Sequence, residues 1–193
     1  MASELTVQTI KGPTSGGNAN KILIGSGQDL IAPGHVIGYS QSPYTSTSTY
    51  SSSSELTIDS PLDGTYSYTT KSANSLLRIH AHFAPIRHYV TWEFHALRMF
   101  YSTSGSGGSY TQFYTGSQGN YTESYNVMAT NVDCIGHINI THAAGAVFNF
   151  KITVQGHTNG NTFAPNQINL GSGTAGSPTT AVGSFISCTE IAQ

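Results

Sequence analysis

The chain has 193 residues, a formal net charge of −2 and charged side chains at only 8% of its positions, against about 25% in an average globular protein. Its few lysines and arginines are scattered singly, and no apolar run approaches the roughly 20 residues that span a bilayer. We therefore expect no nucleic-acid partner and no membrane partner. The length is that of one domain, or of one domain with an arm.

Residues 1 to 32 are predicted to form an extended arm rather than a folded domain. Short alternating stretches are broken by glycine and serine, so the segment has too little apolar surface to fold alone. Its apolar side chains are candidates for binding a neighbouring subunit or another protein: Leu5, Val7, Ile10, Ile22 and Ile24. Packing on its own domain is the alternative. The opening residues lack an apolar signal segment, which predicts synthesis in a cytoplasm.

Residues 33 to 193 follow a period of two, which is typical of β-strands. Strands are predicted at 35–40, 55–59, 65–69, 76–84, 89–101, 127–132, 134–141, 146–155 and 184–191, with Gly/Ser/Thr-rich loops at 102–109, 116–121 and 171–180. No stretch shows a helical period. About nine strands separated by turn signals predict an all-β fold, a jelly-roll β-sandwich that follows the extended N-terminal arm.

In the predicted strand 89–101 the apolar side chains change face partway along. Trp92 and Phe94 share one parity and are expected in the sandwich core. The switch indicates a bulge or bend near Ala96. Side chains of the other parity are expected nearer to a subunit contact: Leu97, Met99 and Tyr101.

The last predicted strand carries apolar side chains on both faces. Phe185 and Ile191 lie on one face, and Ile186 and Cys188 lie on the other. This pattern is typical of a strand that is covered on both sides. We therefore expect a central strand that closes the sandwich. Because a cytoplasm is reducing, both cysteines of the chain are expected to be buried thiols.

The chain has eight histidines, and they are its most numerous candidates for metal binding or catalysis. His80 and His82 share one face of a strand, about 7 Å apart along it. Glu93 and His95 share a face of the next predicted strand, so these four residues form a candidate metal site if the hairpin register brings them together. The alternative, which we favour, is a wet outer face or a subunit interface where neutral imidazoles form hydrogen bonds. We therefore predict no cofactor.

The sequence lacks the motifs of common enzyme classes. It has no G-x-S-x-G elbow, no phosphate-binding loop and no H-E-x-x-H motif, so we predict a protein without enzymatic activity. Four loop tyrosines lie among serine, glycine and asparagine, a composition typical of surfaces that bind sugars or proteins. They are Tyr110, Tyr114, Tyr121 and Tyr125. Ordinary exposed strand tyrosines are the alternative interpretation.

Several segments together resemble small virion proteins of tailed bacteriophages, especially marine and cyanobacterial ones. They are S-E-L-T-V-Q-T-I-K at 3–11, P-G-H-V-I at 33–37, the Ser/Thr block at 44–54, K-S-A-N-S-L-L-R-I at 71–79 and S-C-T-E-I-A at 187–192. In that family an N-terminal arm anchors a C-terminal jelly roll similar to the tumour necrosis factor fold. The resemblance implies a homotrimer on the phage head or in a tail fibre. The histidine-rich centre, 78–95, departs from the general pattern.

From this resemblance we predict a trimeric decoration, or cement, protein of the virion that binds the major capsid protein or other virion proteins and stabilises the head. The second hypothesis is a tail-fibre or spike component that binds the host receptor, such as a cell-surface glycan, through the tyrosine-bearing loops. The third is a metal-dependent, cupin-like enzyme that uses the candidate metal site.

Overall fold

The computed structural model describes residues 33–87, 92–121, 130–157, 163–166 and 183–193. Within these ranges the side chains of 85–87, 92–94, 118–121 and 130 are not described. The chain divides into two units, Met1–Ala32 and Pro33–Gln193, and the described residues all belong to the second. The predicted arm and its five apolar side chains lie outside the described residues, so their binding role stays a prediction.

The described residues form ten β-strands. They are β1 (Val36–Pro43), β2 (Leu56–Thr57), β3 (Asp63–Thr69), β4 (Leu76–Arg87), β5 (Trp92–Ser102), β6 (Thr111–Tyr121), β7 (Thr130–Ile138), β8 (Val147–Gly156), β9 (Ala164–Pro165) and β10 (Phe185–Ile191). In this part of the chain no helix is long and apolar enough to cross a membrane.

Two antiparallel sheets form the sandwich. The first has the strand order β1-β10-β4-β7, with β9 beside β4, and the second has the order β2-β8-β5-β6, with β3 beside β8. Except for β5 and β6, the paired strands are not successive in the chain. Successive strands such as β4 and β5 lie in different sheets. This is the double Greek key of a jelly roll. The prediction of an all-β jelly-roll sandwich is therefore confirmed.

The core lies between the sheets, because alternate side chains of each strand point inward. The largest contributions of the central strands are Leu77, Ile79, Phe83, Leu97, Met99, Phe148, Phe150, Ile152, Val154 and Ile186. Packing is tight at Gly136 of β7, where an added Cβ would lie 2.7 Å from the Phe113 ring and 2.9 Å from the Met99 methyl group. Glycine at this position therefore lets the two sheets approach.

Strand β10 is central, as the sequence predicts. Ser187 pairs with Gln41 of β1 on one side and with His80 of β4 on the other. Both cysteines of the chain are free and buried. Burial raises the pKa of the Cys134 thiol to about 12 and raises that of Cys188 as well. Both groups are therefore neutral thiols at physiological pH.

The predicted bend near Ala96 is wrong. Strand β5 pairs with β8 without interruption from His95 to Ser102. The irregularity lies further along, between Met99 and Phe100, where β5 pairs with β6. The inward parity of β5 therefore stays the same from His95 onward.

Strand β6 includes the range 116–121, which was predicted to be a loop. Tyr114 pairs with Met99 and Gln112 pairs with Phe100, so Phe113 is an extra residue in the ladder. Such a β-bulge interrupts the period of two. The sequence of this segment therefore lacks the alternation that predicts a strand, although β6 is eleven residues long.

Candidate functional site

The outward side of the first sheet brings apolar side chains and histidines together on the surface. It is formed by the side chains of β1, β10, β4 and β7 that point away from the core, and we call it the outer face. Its larger apolar members are Val36, Tyr39, Leu76, Ile135, Phe185 and Ile191. The register of the four strands places them across the whole width of the sheet.

The outer face holds most of the large apolar side chains that are exposed among the described residues. Four large apolar side chains are exposed among the described residues, and three of them lie here. Val36 is 61% exposed, Tyr39 60% and Ile135 37%, whereas the fourth, Val147, lies on the second sheet. Apolar groups that cluster on one surface are typical of a site for a protein partner.

Two histidines and an aspartate converge on the outer face, where β4 pairs with β7. Asp133 Oδ1 lies 2.6 Å from His80 Nε2 and 2.8 Å from His82 Nδ1. Alternation along β4 points both imidazoles outward, and the register with β7 sets Asp133 directly opposite His82. We call these three residues the His–Asp cluster.

Phe185 of β10 packs against both imidazoles of the cluster. Its ring stacks on His82 with centroids 5.4 Å apart and meets His80 edge-on at 5.1 Å. Burial works to raise the pKa of Asp133, but the hydrogen bonds from the two imidazoles outweigh it, so the pKa lies below its ordinary value. The cluster thus presents an ionised carboxylate between two oriented imidazoles.

The predicted metal set of His80, His82, Glu93 and His95 is not assembled. His95 lies on β5 in the second sheet and is buried in the core, and the side chain of Glu93 is outside the described residues. The prediction assumed that successive strands pair as a hairpin, whereas the jelly roll puts β4 and β5 in different sheets. The acid that meets the two histidines is Asp133, 53 residues after His80. The cupin-like enzyme hypothesis loses its ligand set.

The predicted subunit-contact residues of β5 belong to the core of the single chain. Leu97 and Met99 are both 1% exposed. Tyr101 is half-buried, and its ring packs on those of Phe113 and Phe148. The prediction of a subunit contact is therefore wrong for Leu97 and Met99, and for Tyr101 it stays a prediction.

The error comes from the parity of β5. The inward positions of this strand are the odd-numbered ones, which include the polar residue His95. A histidine in the core made the odd-numbered face look like the outer one. The side chains of Trp92 and Phe94, which were predicted to lie in the core, are outside the described residues.

Two of the four predicted binding tyrosines have described side chains, and both make contacts within the domain. Tyr114 packs against the core. Tyr110 donates a hydrogen bond to a backbone carbonyl, and the Lys151 ammonium group lies 4.4 Å from its ring centroid. Both side chains are partly exposed, so their role in binding stays a prediction. Tyr125 and the side chain of Tyr121 lie outside the described residues.

Comparisons with known proteins leave the function open. No protein-family profile and no curated protein matches the chain. Among solved structures, Eiger TNF from S. frugiperda is similar at 10% sequence identity with a TM-score of 0.36, over 83% of this chain and 90% of that one. The jelly-roll assignment therefore rests on the strand order.

A second titratable cluster is buried and ties the last strand to the segment before β4. The carboxylate of Glu190, which is 0% exposed, accepts hydrogen bonds from Tyr68 Oη at 2.8 Å and Ser75 Oγ at 2.7 Å. The backbone N–H groups of Lys71 and Ser72 also donate to it. Burial works to raise the pKa of Glu190, but these donors outweigh it and the pKa lies below its ordinary value. The buried carboxylate is satisfied by donors from distant parts of the chain. We therefore expect the cluster to stabilise the fold.

A cleft of about 340 Å³ opens on the second sheet. The residues that line it include Ser53, Ala96, Ser117, Gln155 and His157. No carboxylate stands among the described residues of this lining. The cleft is therefore a polar depression that is bordered by two histidines, His95 and His157.

Proposed function

We propose that this protein is a non-enzymatic structural component of a tailed-bacteriophage virion: a homotrimeric decoration protein that binds the major capsid protein and stabilises the head. The observation that carries the proposal is the set of exposed apolar side chains on the outer face of the first sheet, because they offer a surface for subunit association. The sequence segments that resemble small virion proteins support the choice of particle. Synthesis takes place in the host cytoplasm, and the protein acts in the virion.

Other copies of this chain are the partner that the outer face fits best. Exposed apolar groups such as Tyr39 and Ile135 lie beside polar groups of both signs, Arg78 and Asp133. A surface with both signs of charge can meet a different patch of another copy without net repulsion. In a trimer, each copy presents one patch to a different patch of the next, and the ring closes after three.

The composition suits a protein that persists in an assembled particle. Only 8% of the residues are charged, and the chain is rich in serine, threonine, glycine and asparagine. Burial between subunits adds stability because only the folded chain associates. A stable particle protein of this kind requires no cofactor.

Removing residues 1 to 32 should leave the jelly roll folded but prevent it from joining particles. We propose that the apolar side chains of the arm add a strand to another virion protein or fill a groove on it. Occupancy is measured by adding truncated protein to particles that lack the native one, with circular dichroism as the check on folding. Full occupancy by the truncated protein would show that the arm is not the anchor.

Copy number in purified virions separates head decoration from the tail-fibre alternative, in which the protein binds a host receptor such as a cell-surface glycan. A decoration protein should be present in numbers comparable with the major capsid protein, because it covers the whole head. Quantitative mass spectrometry of intact particles gives this ratio. A few trimers for each particle would assign the protein to a fibre, and its absence from the particle would contradict both proposals.

A further inference from the structure

We propose that the His–Asp cluster binds one divalent first-row transition-metal ion, of the Zn²⁺ type, through His80 Nε2, His82 Nδ1 and Asp133 Oδ1. The inference rests on the geometry of the single chain and does not depend on the proposed virion function. The metal set differs from the one predicted from the sequence, because the carboxylate comes from β7 of the same sheet.

The three donor atoms already converge. They lie within 4.8 Å of one another, and both ring nitrogens contact the same carboxylate oxygen. Zinc is bound at about 2.0 to 2.2 Å by histidine nitrogen and carboxylate oxygen. To admit an ion, the carboxylate oxygen therefore needs to move away from each nitrogen by less than about 1 Å. The side chains can make this movement because 20% of His82 and 51% of Asp133 are exposed.

The backbone holds the ligands in place. His80 and His82 lie on β4, which pairs with β10 and β7 on its two sides. Phe185 packs against both imidazole rings and restricts their rotation. Ligands on rigid strands with packed side chains lose little freedom when an ion binds, which favours affinity.

The donor set selects the class of ion. Two imidazole nitrogens and one carboxylate oxygen suit Zn²⁺ and its neighbours, whereas Ca²⁺ and Mg²⁺ prefer oxygen ligands alone. Binding requires each imidazole to present a lone pair at the contacting nitrogen, so its proton resides on the other ring nitrogen or leaves. Three protein ligands leave one tetrahedral position open towards the surface.

Isothermal titration of the full chain with ZnCl₂ tests the proposal. We expect one ion for each chain. The variants His82→Ala and Asp133→Asn should each weaken the affinity at least about tenfold, since even indirect contacts to a metal contribute this much. The matched control is His137→Ala, which removes an exposed histidine of β7 outside the cluster and should leave the affinity unchanged.

Cobalt substitution gives a second readout. A bound Co²⁺ ion in a four-coordinate site with histidine ligands absorbs visible light, and the band should disappear in Asp133→Asn. This variant keeps the size of the side chain, so it decides the question if His82→Ala fails to fold by circular dichroism. Absence of saturable Zn²⁺ binding, or equal affinity in the wild type and the folded cluster variants, would overturn the proposal. So would a loss of binding in His137→Ala.

Discussion

Replacing Glu190 by glutamine is expected to lower the free energy of unfolding by about 3 kcal/mol, because hydrogen bonds to a buried charged group contribute about 1.5 to 3 kcal/mol each and several are weakened together. The carboxylate accepts bonds from both a tyrosine and a serine hydroxyl and from two backbone N–H groups. The side-chain NH₂ group of glutamine is itself a donor, so it would face hydroxyl or backbone N–H donors and leave them without an acceptor. Urea denaturation followed by fluorescence measures the loss.

The same carboxylate makes stability depend on pH. The pKa of Glu190 in the folded chain lies below the ordinary value of 4.5. The stability that it contributes is therefore complete above about pH 4.5 and is lost as the pH falls through the lower, folded pKa. Glu190→Gln should remove this part of the acid dependence.

Glu55→Gln is the matched control for this prediction. Glu55 is exposed and meets Arg98 at 3.4 Å on the surface. It also accepts a hydrogen bond from Thr153 Oγ1, which the oxygen of a glutamine can still accept. Exposed ion pairs contribute about 0 to 1 kcal/mol, so this change should have little effect. If Glu190→Gln is as stable as Glu55→Gln, the buried cluster does not stabilise the fold in the way its geometry indicates.

The second large effect is expected on association: Tyr39→Asp should convert the proposed trimer into monomers at micromolar concentration. Tyr39 is 60% exposed on the outer face, so the domain itself tolerates the change. In the trimer the new carboxylate would be buried without a partner at three contacts. An unpaired charge of this kind costs about 2 to 5 kcal/mol, which weakens association at least about thirtyfold. Analytical ultracentrifugation measures the distribution.

Val147→Asp provides the control for surface charge as such. Val147 is 44% exposed, a similar apolar group, but it lies on the second sheet. The Val147→Asp variant should remain trimeric. If both variants dissociate, or if neither does, the outer face is not the surface that joins the subunits.

Strands whose burial pattern is local could be predicted from the sequence. In β10, Ile186 and Cys188 face the core while Phe185 and Ile191 face outward, so both faces carry apolar groups. Alternation in β4 correctly places His80 and His82 on one face. These assignments need only the period of two and no knowledge of the neighbouring strand.

Features that depend on pairing between distant strands could not be predicted. Asp133 joins the two histidines only through the β4–β7 register, which no local pattern records. In β5 the outward residue Phe100 lies beneath the Lys151 ammonium group, 5.2 Å from its ring centroid. The strand thus has an aromatic residue on its outward face and a histidine on its inward face. A sequence pattern of one apolar and one polar face therefore does not identify which side of β5 is buried.

The mass of the wild-type chain in solution tests the central claim most directly, since the proposed structural role depends on subunits that join through the outer face. One chain has a mass of 20.4 kDa. Light scattering coupled to size exclusion at micromolar concentration should give three times that mass in a single peak. A peak at the mass of one chain, unchanged as the concentration is raised tenfold, would contradict the account.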